Sequence, residues 1–452
     1  MHPTFFPSSP SSSSFFSLPE ELHLHLFSYF NAKELCQLQR VCKYFQRMIK
    51  DPYLWSKRLK KDYSYHFFSY QKQVNPFYKN QDLLPMQLAE IPPTSFYADN
   101  WKTKYRNLVK IKKNMENGEY TFSTLQSHGS YVKCIKIANG SLYSGAIRDG
   151  TIGVWNIENG EQQDSMKGHQ SSVNCLKVEY GRIFSGSSDK TIRLWNIQTK
   201  KSQGTFHGHE SFIGCLKVDQ GRLYSGSSDD TIRLWDIETQ QQLSVLKGHT
   251  ASIECLKLIN GLLFSGSEDK TIRCWDIKRG KEICCLRHDN WVTSMKVVHG
   301  KLFCGSACED TRVKVWDIKK GLLTYLPTEN DWGITDVKKL GNNIITSSRR
   351  GPIKIWDANT EQPLLTLNGH RRGVNNLQIA YGNIISASED KTIRIWDPLK
   401  KQSMLTLKEK NEETTCLKVR HGRIFTGYAT GAICEWDFRD SVLQDESPSF
   451  LL

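Results

Sequence analysis

The 452-residue chain lacks the marks of several protein classes. Its opening, "MHPTFFPSSPSSSSFF", has no basic n-region, and Pro and Ser interrupt its apolar residues. Residues 1–16 therefore read as a disordered Ser-rich tail, neither signal peptide nor membrane span. The 13 cysteines show no paired CxxC spacing of a zinc module. Neither metal nor cofactor is expected. GxxxxGK[ST], HExxH and GxSxG are all missing, so the chemistries those motifs serve have no support here.

What is present is a long chain with 38% apolar and 24% charged residues, enough for large cores and too much for one ordinary domain. Its formal net charge is +14, and the basic excess is denser in the first quarter, where Lys57, Arg58, Lys60 and Lys61 cluster. Such a cluster suits an acidic or nucleic-acid partner, or is simply a solvated charged face.

The dominant pattern is a repeat. "GSSDKTIRLWNI" begins at residue 186, "GSSDDTIRLWDI" at 226 and "GSEDKTIRCWDI" at 266. Tryptophans stand at 155, 195, 235, 275, 316, 356, 396 and 436, giving eight units about forty residues long. Within each, short runs rich in Ile, Val and Leu are bounded by Gly, Asn, Asp or Ser, so three or four strands fill the period and leave no room for helices. Cys134, Cys175, Cys215, Cys255 and Cys416 share one repeat position and read as buried thiols in strand packing, in a reducing compartment.

With "KGH" at 167–169, "SGSSD" at 185–189 and "LWN" at 194–196, the repeats resemble the WD-repeat β-propeller over residues 119–438. The resemblance implies radial four-stranded blades around a central channel. "YTFSTLQSH" precedes the first unit as "SQGTFHGH" precedes the third, like an outer strand without a blade of its own. If it completes the sheet that ends at Trp436, eight units make eight blades closed by a clasp of both chain ends, and eight are preferred to seven.

The resemblance also implies a buried network of His, Ser/Thr, Asp and Trp in each blade. His169, Asp189 and Trp195 fit it, as do His209, Asp229 and Trp235; His249, Asp269 and Trp275; and His370, Asp390 and Trp396. His128, Asp149 and Trp155 fit less fully, and His288, Asp310 and Trp316 carry a two-residue expansion. Two units depart, with Asn330 and Arg350 in one and Lys410 and Thr430 in the other; Arg350 cannot replace a buried acid and is expected at the rim. A catalytic triad needs one activated nucleophile, whereas this set recurs at strand turns, so it reads as structural wiring in a chain that is not an enzyme.

Residues 17–63 change period. Ser17 with Glu20 makes a capping box, and Leu22, Leu26, Phe27 and Phe30 share a helical face. Asn31 opens a second helix with an apolar stripe through Leu35 and Leu38, and Asp51-Pro52 opens a third. About 45 residues cannot bury that much apolar surface alone, so part of it faces a partner or a helical cap on the propeller. The order "LPEEL…LFSYF…L..L..VCK.F…D..LW" resembles the F-box, a small all-α module that docks a Skp-type adaptor. By that resemblance Leu18, Pro19, Leu22, Leu26, Phe27, Leu35 and Leu38 supply adaptor contacts. Residues 64–118 read as a linker that becomes a helical stalk from Ser95, with Phe96, Trp101, Tyr105, Leu108 and Ile111 apolar; residues 439–452 form a tail.

The resemblance to F-box proteins bearing WD repeats covers the whole chain. The expected fold is an eight-bladed all-β propeller with an N-terminal F-box domain. The implied role is that of a substrate receptor of a cullin-type ubiquitin ligase, cytoplasmic or nuclear in a eukaryotic cell, or delivered there by an intracellular bacterium. The other reading is a WD-repeat interaction or RNA-associated scaffold. Lys133, Arg148, Arg349, Arg350, Arg371 and Arg372 fall on units one, six and seven, whereas Glu254, Glu268 and Glu309 fall on four and five. Tyr131, Phe212, Trp291 and Trp332 stand in loops entering inner strands. A peptide site with one basic and one acidic side is one reading of these positions, and ordinary rim charge is the other. The Arg-rich positions of relatives that read phosphopeptides are mostly not Arg here.

Overall fold

The computed structural model describes residues 95–439 apart from 126, 260, 307–312, 319–321, 327–332 and 409–411, with side chains from 106 onward. Two units divide the chain, residues 1–110 with 448–452 and residues 111–447. The first unit's described part is most of a helix over Ser95–Asn117.

The second unit carries eight four-stranded antiparallel sheets among its described residues. Blades one to seven occupy residues 132–166, 173–206, 213–246, 253–287, 292–325, 334–367 and 374–407. Blade eight joins strands over residues 414–437 to the strand Thr121–Leu125, which pairs with Ile433–Asp437 from Thr121 opposite Asp437 to Leu125 opposite Ile433. Inner strands of successive blades touch all round, and blade eight meets blade one, so the ring is closed.

Local chemistry explains the blade. Inner and second strands are joined by two-residue turns such as Asn139-Gly140 and Tyr180-Gly181, both residues at positive φ. That conformation matches the right-handed strand twist, and the glycine adopts it without strain. Second strands such as Arg182–Ser187 are almost wholly buried between neighbouring blades. Gly226 lies there because a Cβ would stand 2.7 Å from both Cys215 Sγ and Ile253 Cγ2 of the next blade. The repeated thiols lie at the same joints: Cys215 Sγ reaches the carbonyl of Ile253, and Cys255 Sγ that of Val292, each at 3.6 Å. Burial pushes the thiols of Cys175 and Cys255 up to about 12, so they are neutral donors.

The end of the helix packs on blade eight. Met115 is fully buried, and Asn114 Nδ2 donates to the carbonyl of Phe438 at 2.9 Å. Nearby Arg423, 2% exposed, joins blades eight and one. Its guanidinium meets Glu158 at 2.6 Å, Glu435 at 3.2 Å and Asp437 at 3.3 Å. Burial outweighs the arginine's pull and raises Glu435 to about 7 and Asp437 to about 6.

Candidate functional site

Four blades carry the same wiring. In blade three His209 Nδ1 lies 2.7 Å from Asp229 Oδ2, His209 Nε2 lies 2.7 Å from Ser225 Oγ, and Trp235 Nε1 donates to Ser225 Oγ at 2.9 Å. Thr231 Oγ1 and the Glu210 N–H also donate to Asp229. His169, Asp189 and Trp195 repeat the pattern through Ser185, His249, Asp269 and Trp275 through Ser265, and His370, Asp390 and Trp396 through Ser386. Burial opposes ionisation of these aspartates, but the hydrogen bonds outweigh it and hold them below the usual carboxylate range, Asp390 at about 2. Burial lowers His249 and His370 against their aspartates' pull, so these imidazoles are neutral near pH 7. A serine that only links an imidazole to an indole is no nucleophile; the arrangement pins loops.

Elsewhere the wiring thins. His128 holds Asp149 at 2.8 Å, but its Nε2 meets the Ser144 carbonyl, not the hydroxyl. In blade six Trp356 donates to Thr346 at 2.9 Å and Arg350 is exposed. In blade eight exposed Thr430 donates to Glu412. Asp310, Asn330 and Lys410 lie outside the described residues.

These pinned loops form one face of the ring, because the loop entering each inner strand bonds the turn between second and third strands. Ile147 N–H to the Tyr131 carbonyl, Ser228 to Phe212 and Arg349 to Gly333 are examples. Tyr131, Phe212 and Trp291 are 40%, 45% and 43% exposed on it. Lys133, Arg148, Arg349, Arg350, Arg371, Arg372 and Glu254 are exposed there too, and Glu268 is partly so. Trp332 and Glu309 lie outside the described residues, as do Leu18, Pro19, Leu22, Leu26, Phe27, Leu35 and Leu38. Blade eight stands between blades seven and one and brings Glu412 and Glu413 into the basic arc. The arc is therefore broken by carboxylates. Burial and, after it, the nearby charge of Glu254 raise Glu268, so these two carboxylates of blade four lie close together.

Every inner strand bulges after its first residue, between Ile213 and Cys215 in blade three and at the same register in the other seven. The extra residue is left out of the ladder and its side chain re-aimed. At four bulges it bonds the next blade: Asn174 to the Ile213 carbonyl at 3.2 Å, Thr293 to Ile334 at 3.2 Å, Thr415 to Val132 at 2.6 Å, and Thr335 to Val374. Those positions staple the ring. Lys133, Gly214, Glu254 and Asn375 hold the remaining bulges.

A further feature escaped the motif reading. Three residues beyond the bulge, Lys136, Lys177, Lys217, Lys257, Lys296, Lys338 and Lys418 occupy one register position, and blade seven has Gln378 there. The lysine of "CLKV", recurring every forty residues, was the available signal.

An F-box-like family model matches residues 15–61, and the WD domain, G-beta repeat model matches 160–196, 200–236, 240–276, 280–317 and 361–397. The chain is an F-box-like protein with a WD-repeat propeller. An F-box protein of Saccharomyces cerevisiae is 28% identical over 32% of this chain, and the F-box and WD repeat domain-containing 11-A of Danio rerio 26% over 30%. These matches span 23% and 24% of the relatives' own lengths, under a quarter of each. The probable E3 ubiquitin ligase complex SCF subunit scon-2 of Neurospora crassa is 36% identical over 14% of the chain and 9% of that protein. Among solved structures, the computationally designed Ika8 protein is 29% identical with a TM-score of 0.65, covering 70% of this F-box-like WD-repeat chain and 98% of its own. The WD40 β-propeller domain of Doa1, 21% identical with a TM-score of 0.50 over 71% of this chain and 98% of its own, shares the fold. The five matched repeats include the four with complete wiring.

Proposed function

We propose that this chain is a substrate-recognition subunit of a cullin-type ubiquitin ligase. Its F-box-like segment docks a Skp-type adaptor, and the face bearing Tyr131, Phe212 and Trp291 captures a target protein. The observation that carries this reading is one chain holding both an F-box-like match at 15–61 and a WD-repeat propeller; a relative named as an SCF subunit supports it. The chain itself contributes proximity: a tethered target meets the ubiquitin donor at high effective concentration. Three of the matched relatives come from yeast, zebrafish and a filamentous fungus, which fits a eukaryotic cytoplasm or nucleus; delivery by a bacterium finds no support among these three.

Calorimetric titration of the full chain with a purified Skp-type adaptor tests the reading. Binding with a Kd below about 1 μM, lost when Leu18 and Pro19 are both changed to Ala, is the expected result. Absence of binding by the unaltered chain sinks it and leaves a propeller interaction protein.

A further inference from the structure

Around the ring's axis the inner strands set like charges against one another. The lysines at the position shared by Lys136 and Lys418 lie on seven of eight inner strands, and each strand touches the next. The charge of Lys338, on blade six, acts on Lys136 of blade one, Lys257 of blade four, Lys296 of blade five and Lys418 of blade eight. Only convergence on the central channel lets one ammonium reach four other blades. Carboxylates are fewer: Asp336 lies 2.9 Å from Lys338, and Glu179 lies 2.9 Å from Lys177.

Such a ring destabilises the chain that bears it. Burial first, and then neighbouring lysines, lower Lys257 to about 8 and Lys418 to about 7. Asp336 pulls Lys418 the other way without cancelling the shift, and the thiols of Cys416 and Cys255, which lie beside Lys418 and Lys257, are neutral and add no charge. A channel walled mainly by one sign of charge focuses its field on a small counter-ion. Ammonium groups with three donors each match the clustered oxygens and high charge density of phosphate.

We propose that the central channel of this propeller binds a compact anion carrying several phosphate groups, held by the ring of inner-strand lysines. The site rests on the inner-strand lysines and does not depend on the ligase reading. Binding is non-covalent, so protons alone change hands. The anion favours charged lysines, and those that are partly neutral at pH 8 take up protons as it enters.

The full chain is titrated at pH 8 with tripolyphosphate, and in parallel with inositol hexakisphosphate to separate a linear from a cyclic source. Calorimetry in two buffers of different ionisation enthalpy reports the protons. Saturable binding of either anion with proton uptake is expected. Lys257→Gln with Lys418→Gln should weaken it by about tenfold or more, whereas Lys167→Gln with Lys247→Gln, which removes two exposed charges, should not. Gln378 shows that the position accepts glutamine, and the uptake measurement on the unaltered chain needs no variant. Binding without proton uptake, equal weakening by both pairs, or no saturable binding of either anion overturns the proposal.

Discussion

Asp229 accepts from His209, Thr231 and the Glu210 amide, and its removal leaves those donors facing a hole rather than water. Because a stranded buried polar group is expensive, Asp229→Ala is expected to cost about 2 to 4 kcal/mol, read as a lowered urea midpoint. Arg350→Ala, at the corresponding but exposed position of blade six, should stay within about 0.5 kcal/mol. Of these partners His209 was legible through the resemblance to WD repeats, whereas Thr231 and the Glu210 amide were not. Arg423 was not legible. It occupies the register of Arg182 and Arg222, opposite Asp437 as they oppose Asn196 and Asp236. Arg182 makes a surface pair with Glu238, whereas Arg423 is enclosed because Glu158 of blade one and Glu435 close over it.

Among the elements, the joint between blades eight and one decides whether the ring stays shut. The strand Thr121–Leu125 supplies the fourth strand of blade eight, and Arg423 ties that blade to the carbonyl of Ile157 and the carboxylate of Glu158. Arg423→Ala removes the cation from two buried carboxylates and should destabilise by about 3 to 5 kcal/mol near neutral pH. The loss should shrink toward pH 5, since Glu435 and Asp437 can then take protons instead; chemical denaturation of the variant at both pH values checks it. The outer strand and the closing role of "YTFSTL" could be read from its likeness to other outer strands. The inner-strand bulges could not. A bulge is one unpaired residue in a ladder, and neither apolar pattern nor composition distinguishes Thr415 at a bulge from Thr414 in register.

For the propeller as a unit, the lysine ring sets a pH dependence that a single substitution pair isolates. Lys418 is lowered to about 7 and Lys257 to about 8, while an unfolded chain restores both to the ordinary lysine value of about 10.5. Below pH 7 both states carry the charge and the folded ring bears the full repulsion. As pH rises, the folded state sheds its protons first, and above about 10.5 neither state is charged. Without added anion, Lys257→Gln with Lys418→Gln should therefore unfold at higher temperature than the unaltered chain at pH 7, with the gap closing as pH approaches 10. A gap that widens with pH would refute the burial of those charges. The face charges behave differently: Lys133, Arg148 and Arg349 project to solvent, and Glu412 and Glu413 stand in the same arc.

Spacing along the chain was enough to establish the period and the eight units, because each is a repeated property, and the resemblance to WD repeats supplied the wiring residues of four blades. Ring closure settled the rest. Only when blade eight meets blade one does Arg423 become buried, do carboxylates enter a basic arc, and do lysines forty residues apart come to face one another across a channel. Charge energy depends on distance through space, and a repeat records only distance along the chain.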